Sequence, residues 1–138
     1  MLCCIRYPGI SYDVDTVIED NMMEFVKKQL SIQTEIDMQL YFKRETTRRE
    51  QLAEIQNLYG YRSLNAKMHA SYVELLLPTA KATDNGAIVA NKLIELLRHE
   101  MIIVPNISVI ERLCSEAITI ATKWVYETLL EQCSKMQL

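Results

Sequence analysis

Apolar residues recur at helical spacing along most of the chain, and turn signals separate the resulting stretches. The first stretch follows the i, i+4, i+7, i+8 spacing of one helix face, at Ile18, Met22, Phe25, Val26 and Leu30. Asp15 stands just before it and can cap a helix N-terminus. The pattern predicts a first helix of about four turns with one buried face. A short second amphipathic segment is predicted around Ile36, Leu40 and Tyr41.

A capping-box pattern predicts where the next helix begins. Thr47 and Glu50 have the spacing at which each side chain can hydrogen-bond the backbone amide of the other. The inner stripe of this helix is predicted to be Leu52, Ile55 and Tyr59. Gly60 stands where a left-handed residue would end the helix.

The segment after Gly60 predicts a second helix close to the first. Residues 61–64 are expected to form a short turn, and a helix is expected from about Asn65 to Leu77. Pro78 is expected to close that helix because it lacks the backbone N–H that the next turn needs. A helix, a glycine-containing turn and a second helix together outline a helix-turn-helix unit.

Two further helices are predicted in the C-terminal half. Thr83 and Asp84 can cap a helix whose apolar face is Ile88, Val89, Leu93, Leu96 and Leu97. The run 102–104 that follows is β-branched but too short to imply a sheet. Ser108 and Glu111 repeat the capping-box spacing. The helix they begin is predicted to run for about 25–28 residues, or about 40 Å, with an apolar face of Ile110, Leu113, Cys114, Ala117, Ile120, Ala121, Trp124 and Leu129.

The composition agrees with an all-α fold. The 138 residues are 49% apolar, with only three Gly and three Pro, which favours helices over a turn-rich β architecture. This length fits a multi-helix bundle forming a single domain, 1–138, or two subunits, 1–78 and 79–138. The longest apolar runs are too short for a membrane span, and the first residues do not form a signal peptide. We therefore expect a soluble, cytoplasmic protein without a membrane partner.

The net charge of −3 hides an uneven distribution of charge. Residues 41–69 hold six basic and three acidic side chains, whereas residues 1–40 hold three basic and seven acidic ones. A basic segment in an acidic chain indicates an anionic partner.

Chemistry of the catalytic or metal-binding kind is not indicated. Cys3, Cys4, Cys114 and Cys133 match neither a disulfide framework nor a zinc-binding pattern. His69 and His99 are interpreted as surface or boundary residues. The acidic pairs near the first helix, Asp13 with Asp15 and Glu19 with Asp20, are interpreted as complementing the helix dipole. We expect no cofactor, no metal and no enzymatic activity.

Two interpretations of the basic segment stay open on the residues alone. Lys43, Arg44, Arg48, Arg49, Arg62 and Lys67 are either solvated charges matched by nearby glutamates or contacts for a polyanion. Arg48 and Arg49 fall at a predicted helix N-terminus, where backbone amides already favour a phosphate. In a helix-turn-helix unit the second helix reads bases from its N-terminal residues, so Arg62, Ser63, Asn65 and Lys67 become candidates for DNA contact.

Several sequence blocks together resemble the N-terminal region of the large replicative transposases of the Tn-three family. The blocks are LCCIRYPG, RETTRREQLAEIQNLYGYR, LLPTAKATDNG, IIVPNISVIERLCSEA and VYETLL, and their order and spacing fit over nearly the whole chain. The resemblance is most specific in the block that contains Thr47, Arg48, Arg49, Glu50, Leu52, Ile55, Gly60, Tyr61 and Arg62.

The resemblance implies a function. In that family the N-terminal region is a helical module that binds double-stranded DNA at the terminal inverted repeats of the transposon. A separate C-terminal domain carries the Asp-Asp-Glu metal triad, so the resemblance implies a truncated, non-catalytic part of a transposase. The resemblance implies that DNA is contacted by Arg48, Arg49, Arg62, Arg44, Lys43 and Lys67. Asn65 is a further candidate, for contact with a base. The alternative is a helical protein-interaction or dimerisation module in which the last helix pairs with a partner or with itself.

Overall fold

The computed structural model describes residues 1–12 and 16–136, and its regular structure is almost entirely helical. The described residues contain seven α-helices, one 3-10 turn and two strands of two residues each. The all-α prediction is confirmed. The chain divides into two compact units, a first unit, Met1–Gly60, and a second unit, Tyr61–Leu138. This division is by contacts within the chain and does not show which parts fold independently. The single domain 1–138 and the two subunits 1–78 and 79–138 therefore stay predictions.

The first unit consists of four helices with a small interior. They are α1 (Leu2–Arg6), α2 (Asp20–Gln29), α3 (Met38–Lys43) and α4 (Glu45–Tyr59). Among the described residues of this unit, the buried apolar side chains are Cys4, Ile5 and Phe42. A short α1 and a short α3 offer little surface for a second layer, and α2 and α4 bury no residue completely.

Helix α2 differs from its prediction in length and in burial. It begins at Asp20, after Glu19 as N-cap, whereas the predicted cap Asp15 lies outside the described residues. Met22 and Val26 are half-buried, but Phe25 and Leu30 are 62% and 64% exposed. The predicted length of four turns and the predicted burial of Phe25 and Leu30 are therefore wrong. Helical spacing shows which residues share a face but not whether another element covers that face.

The short segment predicted before the basic region is confirmed as α3. Asp37 caps it, and its carboxylate accepts hydrogen bonds from the amides of Gln39 and Leu40 at 3.0 and 3.4 Å. The buried residue of α3 is Phe42, which the sequence analysis did not select. Leu40 instead is 56% exposed.

Helix α4 begins earlier than predicted and ends as predicted. It starts at Glu45, directly after Arg44 as N-cap, and no side chain caps it. The predicted capping box is wrong because α3 ends only two residues earlier, so the chain is already helical before Thr47. The stop at Gly60 is confirmed: this residue has a left-handed φ of 75° and its amide donates to the Gln56 carbonyl at 3.0 Å.

Replacing Gly60 by Ala is expected to lower the free energy of unfolding by about 1 kcal/mol, because a Cβ is disfavoured at positive φ. No described residue beyond the immediate chain neighbours brings an atom within 4 Å of the added Cβ, so the penalty comes from the backbone conformation. Gly86→Ala is the control, since its Cβ would make an ordinary contact, 4.0 Å from the Ile118 Cδ1 atom. Urea unfolding followed by circular dichroism compares the two, and equal shifts in midpoint would contradict the assigned role of Gly60.

The second unit packs three long helices around one core. Its elements are β1 (Arg62–Ser63), a 3-10 turn (Ala66–Met68), α5 (His69–Ala82), α6 (Gly86–His99), β2 (Ile102–Ile103) and α7 (Ile107–Met136). The buried core includes Tyr72, Val73, Leu76, Val89, Leu93, Leu97, Ile102, Ile110, Leu113 and Ala117. Each of the three long helices contributes to this core, which gives the unit its apolar stabilisation.

Helix α5 continues through the proline that was expected to end it. Pro78 lies inside the helix, which runs on to Ala82. Pro78 and Glu74 are both exposed, so water can bind the Glu74 carbonyl that loses its helical partner. Ala80, one turn from the buried Leu76, is itself buried. The predicted end at Leu77 is therefore wrong, because packing beyond Pro78 favours continued helix.

The two short strands form a parallel ladder that was not predicted. Arg62 pairs with Ile102 and Ser63 pairs with Ile103. Ile102 and Ile103 are buried, whereas Arg62 and Ser63 are exposed. The β-branched run after α6 therefore does form sheet structure, because a pairing partner arrives from a distant part of the chain.

Asparagines cap the last two helices in place of the predicted residues. The Asn85 side chain accepts a helix amide at the start of α6, and the Thr83 hydroxyl accepts the Asn85 amide instead of capping the helix itself. At the start of α7, the Asn106 side chain accepts a helix amide at 3.2 Å. The Ser108 hydroxyl donates to Asn106 at 2.7 Å. Each helix begins slightly away from its predicted cap, because several polar residues in a row can all serve as caps.

Helix α7 is longer than predicted but buries the expected face only in its first half. It spans 30 residues, about 45 Å. Its buried residues are Ile110, Leu113, Cys114, Ala117 and Ala121. Ile120, Trp124 and Leu129 are 42%, 46% and 51% exposed. The Lys81 ammonium lies 3.9 Å from the centre of the Trp124 ring, so this residue makes a cation–π contact at the surface.

No described helix is both long enough and apolar enough to cross a membrane.

Candidate nucleic-acid interface

The basic residues of the first unit gather where α3 meets α4. Lys43 is the last residue of α3, and Arg44 is the single residue between the two helices. Arg49 follows in the second turn of α4. All three are exposed, so their charges face solvent on one short length of chain. We name Lys43, Arg44 and Arg49 the helix-junction cluster.

Arg49 is paired with a carboxylate, but only loosely. Its guanidinium lies 3.0 Å from the Glu45 carboxylate, four residues earlier. The two side chains are 78% and 66% exposed. Exposed pairs of this kind contribute little to stability, and salt screens them. A phosphate can therefore replace Glu45 as the partner of Arg49 at small cost.

Arg48 points into the first unit and not toward solvent. It is half-buried, and one of its terminal nitrogens donates to the Tyr12 carbonyl at 3.3 Å. Its Nε is buried and has no hydrogen-bond partner among the residues that the structure describes. The surrounding rings pack edge to face, with the Tyr12 and Phe42 centroids 5.5 Å apart. Burial raises the pKa of Tyr41 above its usual value, and the positive charge of Arg48 opposes that rise. Arg48 thus anchors α4 to the chain around Tyr12.

The backbone of Arg62 is held in place by the residues that follow α6. Its amide donates to the Met101 carbonyl at 3.0 Å, next to the strand ladder. Its guanidinium lies 3.5 Å from the Glu100 carbonyl oxygen, at the outer limit of a hydrogen bond. The residue is exposed, so a fixed backbone presents a solvent-facing cation.

Asn65 serves as a cap in this conformation. Its side-chain oxygen accepts hydrogen bonds from the Lys67 and Met68 amides at 3.0 and 3.2 Å. This cap starts the 3-10 turn that leads into α5 and fixes the position of Lys67, which is exposed. We name Arg62, Asn65 and Lys67 the strand-turn cluster.

The sequence-selected residues therefore fall into two groups, one in each unit. Arg48 is the member that packs inward, whereas the other basic residues of both clusters are exposed. Tyr12 and Glu100, which contact Arg48 and Arg62, were not selected from the sequence. Tyr12 is 36 positions from Arg48, so no local pattern connects them.

Other titratable groups of the described residues do not form a cluster that could bind a metal ion. The His69 ring lies 2.6 Å from the Glu116 carboxylate, and the two side chains are 25% and 48% exposed. No group of three or more His, Cys, Asp or Glu side chains in residues 1–12 and 16–136 could hold a metal ion. The four cysteines are free; Cys4 and Cys114 are buried, and burial raises the pKa of the Cys114 thiol.

Comparison with known proteins identifies the family. Residues 1–117 match a family described as "Domain of unknown function (DUF4158)". The chain is 35% identical over 130 residues to the transposase for transposon Tn21 of Escherichia coli. It is 34% identical over 131 residues to the transposase for transposon Tn501 of Pseudomonas aeruginosa. A more distant relative, the transposase for transposon Tn1546 of Enterococcus faecium, is 26% identical over 136 residues.

These alignments cover 94% of this chain for the first two relatives and 99% for the third. They cover only 13% to 14% of each relative, so the chain corresponds to a small part of a transposase's length. The resemblance to Tn-three family transposases that the sequence blocks indicated is confirmed. The chain belongs to the DUF4158 family.

Proposed function

We propose that this chain is a DNA-binding module that recognises the terminal inverted repeats of a transposon and has no catalytic activity of its own. The observation that carries the proposal is the exposure of basic side chains in the one segment with a positive balance of charge, residues 41–69, in a chain similar to transposases. Binding of this kind implies a cytoplasmic, nucleoid-associated protein.

The helix-junction cluster is proposed to bind the phosphate backbone. Lys43, Arg44 and Arg49 are exposed, and the Glu45 pair is easily displaced. Arg48 is proposed to support them by fixing the start of α4, with a direct DNA contact as its lesser role. Phosphate contacts supply most non-specific affinity and set the register of the protein on the duplex.

The strand-turn cluster is proposed to contact DNA beside the N-terminus of α5. Arg62 and Lys67 can bind phosphate or the acceptor edge of guanine. The Asn65 oxygen already accepts two amides, so Asn65 acts mainly by orienting Lys67, and any base contact of its own uses the amide nitrogen as donor.

Fluorescence anisotropy tests the proposal with a labelled duplex that carries the terminal repeat of a relative's transposon, such as Tn21. A scrambled duplex of the same length and composition is the control, and both are titrated at about 0.1 and 0.2 M salt. Tighter binding to the repeat with steep salt dependence is the expected result. A folded chain that binds neither duplex would overturn the proposal.

A second candidate function is self-association through α7. The second half of this helix exposes large apolar side chains, with Tyr126 64%, Leu130 70% and Met136 87% exposed. Exposed apolar faces of this extent are common at protein interfaces. Sedimentation at several protein concentrations tests it; a mass that increases with concentration and is unaffected by DNA would favour this function over DNA recognition.

A further inference from the structure

A buried tyrosine and an exposed glutamate lie beside Arg62 in the second unit. The backbone of Arg62 is fixed on one side by the parallel ladder with Ile102 and by its hydrogen bond to the Met101 carbonyl. Met101 has a left-handed φ of 57°, which turns the chain sharply after α6. Glu100 precedes this turn, and its carbonyl oxygen lies near the Arg62 guanidinium.

The Glu100 carboxylate has a partner that is not a cation. The Tyr72 hydroxyl donates to it over 2.6 Å, and Tyr72 is only 2% exposed. Burial and this hydrogen bond hold the pKa of Tyr72 well above its usual value, so the hydroxyl stays protonated and keeps donating at neutral pH. A short hydrogen bond to a carboxylate is among the stronger ones in proteins.

The Arg62 guanidinium is close to Glu100 without pairing with its carboxylate. One guanidinium nitrogen lies 3.5 Å from the Glu100 carbonyl oxygen. None of the ion pairs within 4.0 Å among the described residues involves Arg62. The Glu100 carboxylate is therefore bonded to the Tyr72 hydroxyl and not to the Arg62 guanidinium.

We propose that Tyr72 is a positioning residue of the DNA interface: its hydroxyl holds the Glu100 carboxylate away from the Arg62 guanidinium and leaves that cation available to a DNA phosphate. The inference rests on the proposed function. Without the Tyr72 hydroxyl, the Glu100 side chain is free to rotate and to pair with Arg62, since a carboxylate and a guanidinium attract each other.

The test measures DNA affinity and its salt dependence for Tyr72→Phe, Glu100→Gln and the double variant. Tyr72→Phe is expected to bind about eightfold more weakly at 0.1 M salt, with a log–log salt slope smaller by about 0.9, the loss of one phosphate contact. Glu100→Gln removes the competing charge, so the double variant is expected to recover the affinity of Glu100→Gln. Tyr7→Phe, at an exposed tyrosine of the first unit, is the control.

Three results separate the possibilities. A loss that persists in the double variant, or that also occurs in an Arg62→Ala background, would mean that Tyr72 acts only through stability and would overturn the inference. If Tyr72→Phe does not fold, Glu100→Asp replaces it as the test variant. Glu100 is exposed, so the change should not affect folding, and the shorter side chain breaks the hydrogen bond to Tyr72. The same weakening of DNA binding is expected. No binding by the unchanged chain would overturn the proposed function itself, whereas normal binding by Tyr72→Phe overturns this inference alone.

Discussion

Replacing Lys43, Arg44 and Arg49 together by alanine is expected to weaken binding to every DNA duplex by about 10²- to 10³-fold at 0.1 M salt. Each phosphate contact contributes about 0.9 to the log–log dependence of affinity on salt, so three lost contacts reduce the slope by about 2.7. At 0.1 M salt, each contact corresponds to a factor of about eight. Because phosphates carry no sequence information, the ratio of affinities for terminal-repeat and scrambled duplexes is expected to change little.

The matched control removes the same charge elsewhere. Lys92, Lys123 and Lys135 are exposed lysines of α6 and α7, and replacing all three by alanine lowers the net charge equally. This control is expected to keep most of the salt slope, because these three lysines are not among the residues proposed to bind phosphate. If both triple variants lose the same DNA affinity and the same salt slope, the helix-junction cluster does not contact DNA directly. The loss would then be a general effect of net charge.

Arg48→Ala separates packing from contact within the same turn of helix. Because Arg48 bonds the Tyr12 carbonyl and lies half-buried, its loss is expected to change the stability of the first unit more than the salt slope. Arg49→Ala is expected to do the reverse, since Arg49 is exposed. Thermal melts and anisotropy titrations on the two single variants measure both quantities, and identical behaviour would contradict the different placements of the two residues.

Replacing Leu113 by Ala is expected to lower the free energy of unfolding of the second unit by about 3–5 kcal/mol. Leu113 is 0% exposed and lies in the shared core of α5, α6 and α7. Its truncation removes apolar burial and leaves a cavity that tightly packed helices cannot fully close. Since small domains are stable by only about 5–15 kcal/mol, this single change should remove a large part of the stability.

Guanidinium unfolding followed by tryptophan fluorescence measures this effect. Trp124 is the single tryptophan of the chain and belongs to the second unit, so its signal reports on that unit. Leu130→Ala is the control on the same helix, because Leu130 is 70% exposed and its loss should cost less than about 0.5 kcal/mol. Similar unfolding midpoints for the two variants would show that α7 is not packed as described.

The adjacent residues Arg48 and Arg49 show which features of the candidate site can be predicted from the sequence and which cannot. The sequence places both in a basic helix start, and it indicates an anionic partner for the segment as a whole. Successive residues of a helix point about 100° apart, so Arg48 and Arg49 can lie in different surroundings although they are adjacent in the sequence. The position of Tyr12, 36 residues away, decides that Arg48 is the one.

The ends of the helices, too, could be predicted only in part from the sequence. Gly60 could be identified from the sequence because a left-handed C′ position selects glycine by its own backbone preference. The capping box at Thr47 failed, because whether a polar side chain caps a helix depends on where the preceding helix stops. Pro78 failed as a stop signal, because a proline disfavours helix by a finite free energy that the packing of α5 as a whole, through Tyr72, Val73, Leu76 and Ala80, can exceed.

The sequence by itself determined the all-α class, the approximate positions of the main helices, the buried face of the first half of α7 and the basic character of residues 41–69. These features depend on residues within a few turns of one another, so periodicity and composition contain them. Only the tertiary structure decided the pairing of Arg62 with Ile102, the hydrogen bond from Tyr72 to Glu100 and the burial of Arg48. These contacts join residues far apart in the chain, and their free energy exists only when folding brings the segments together.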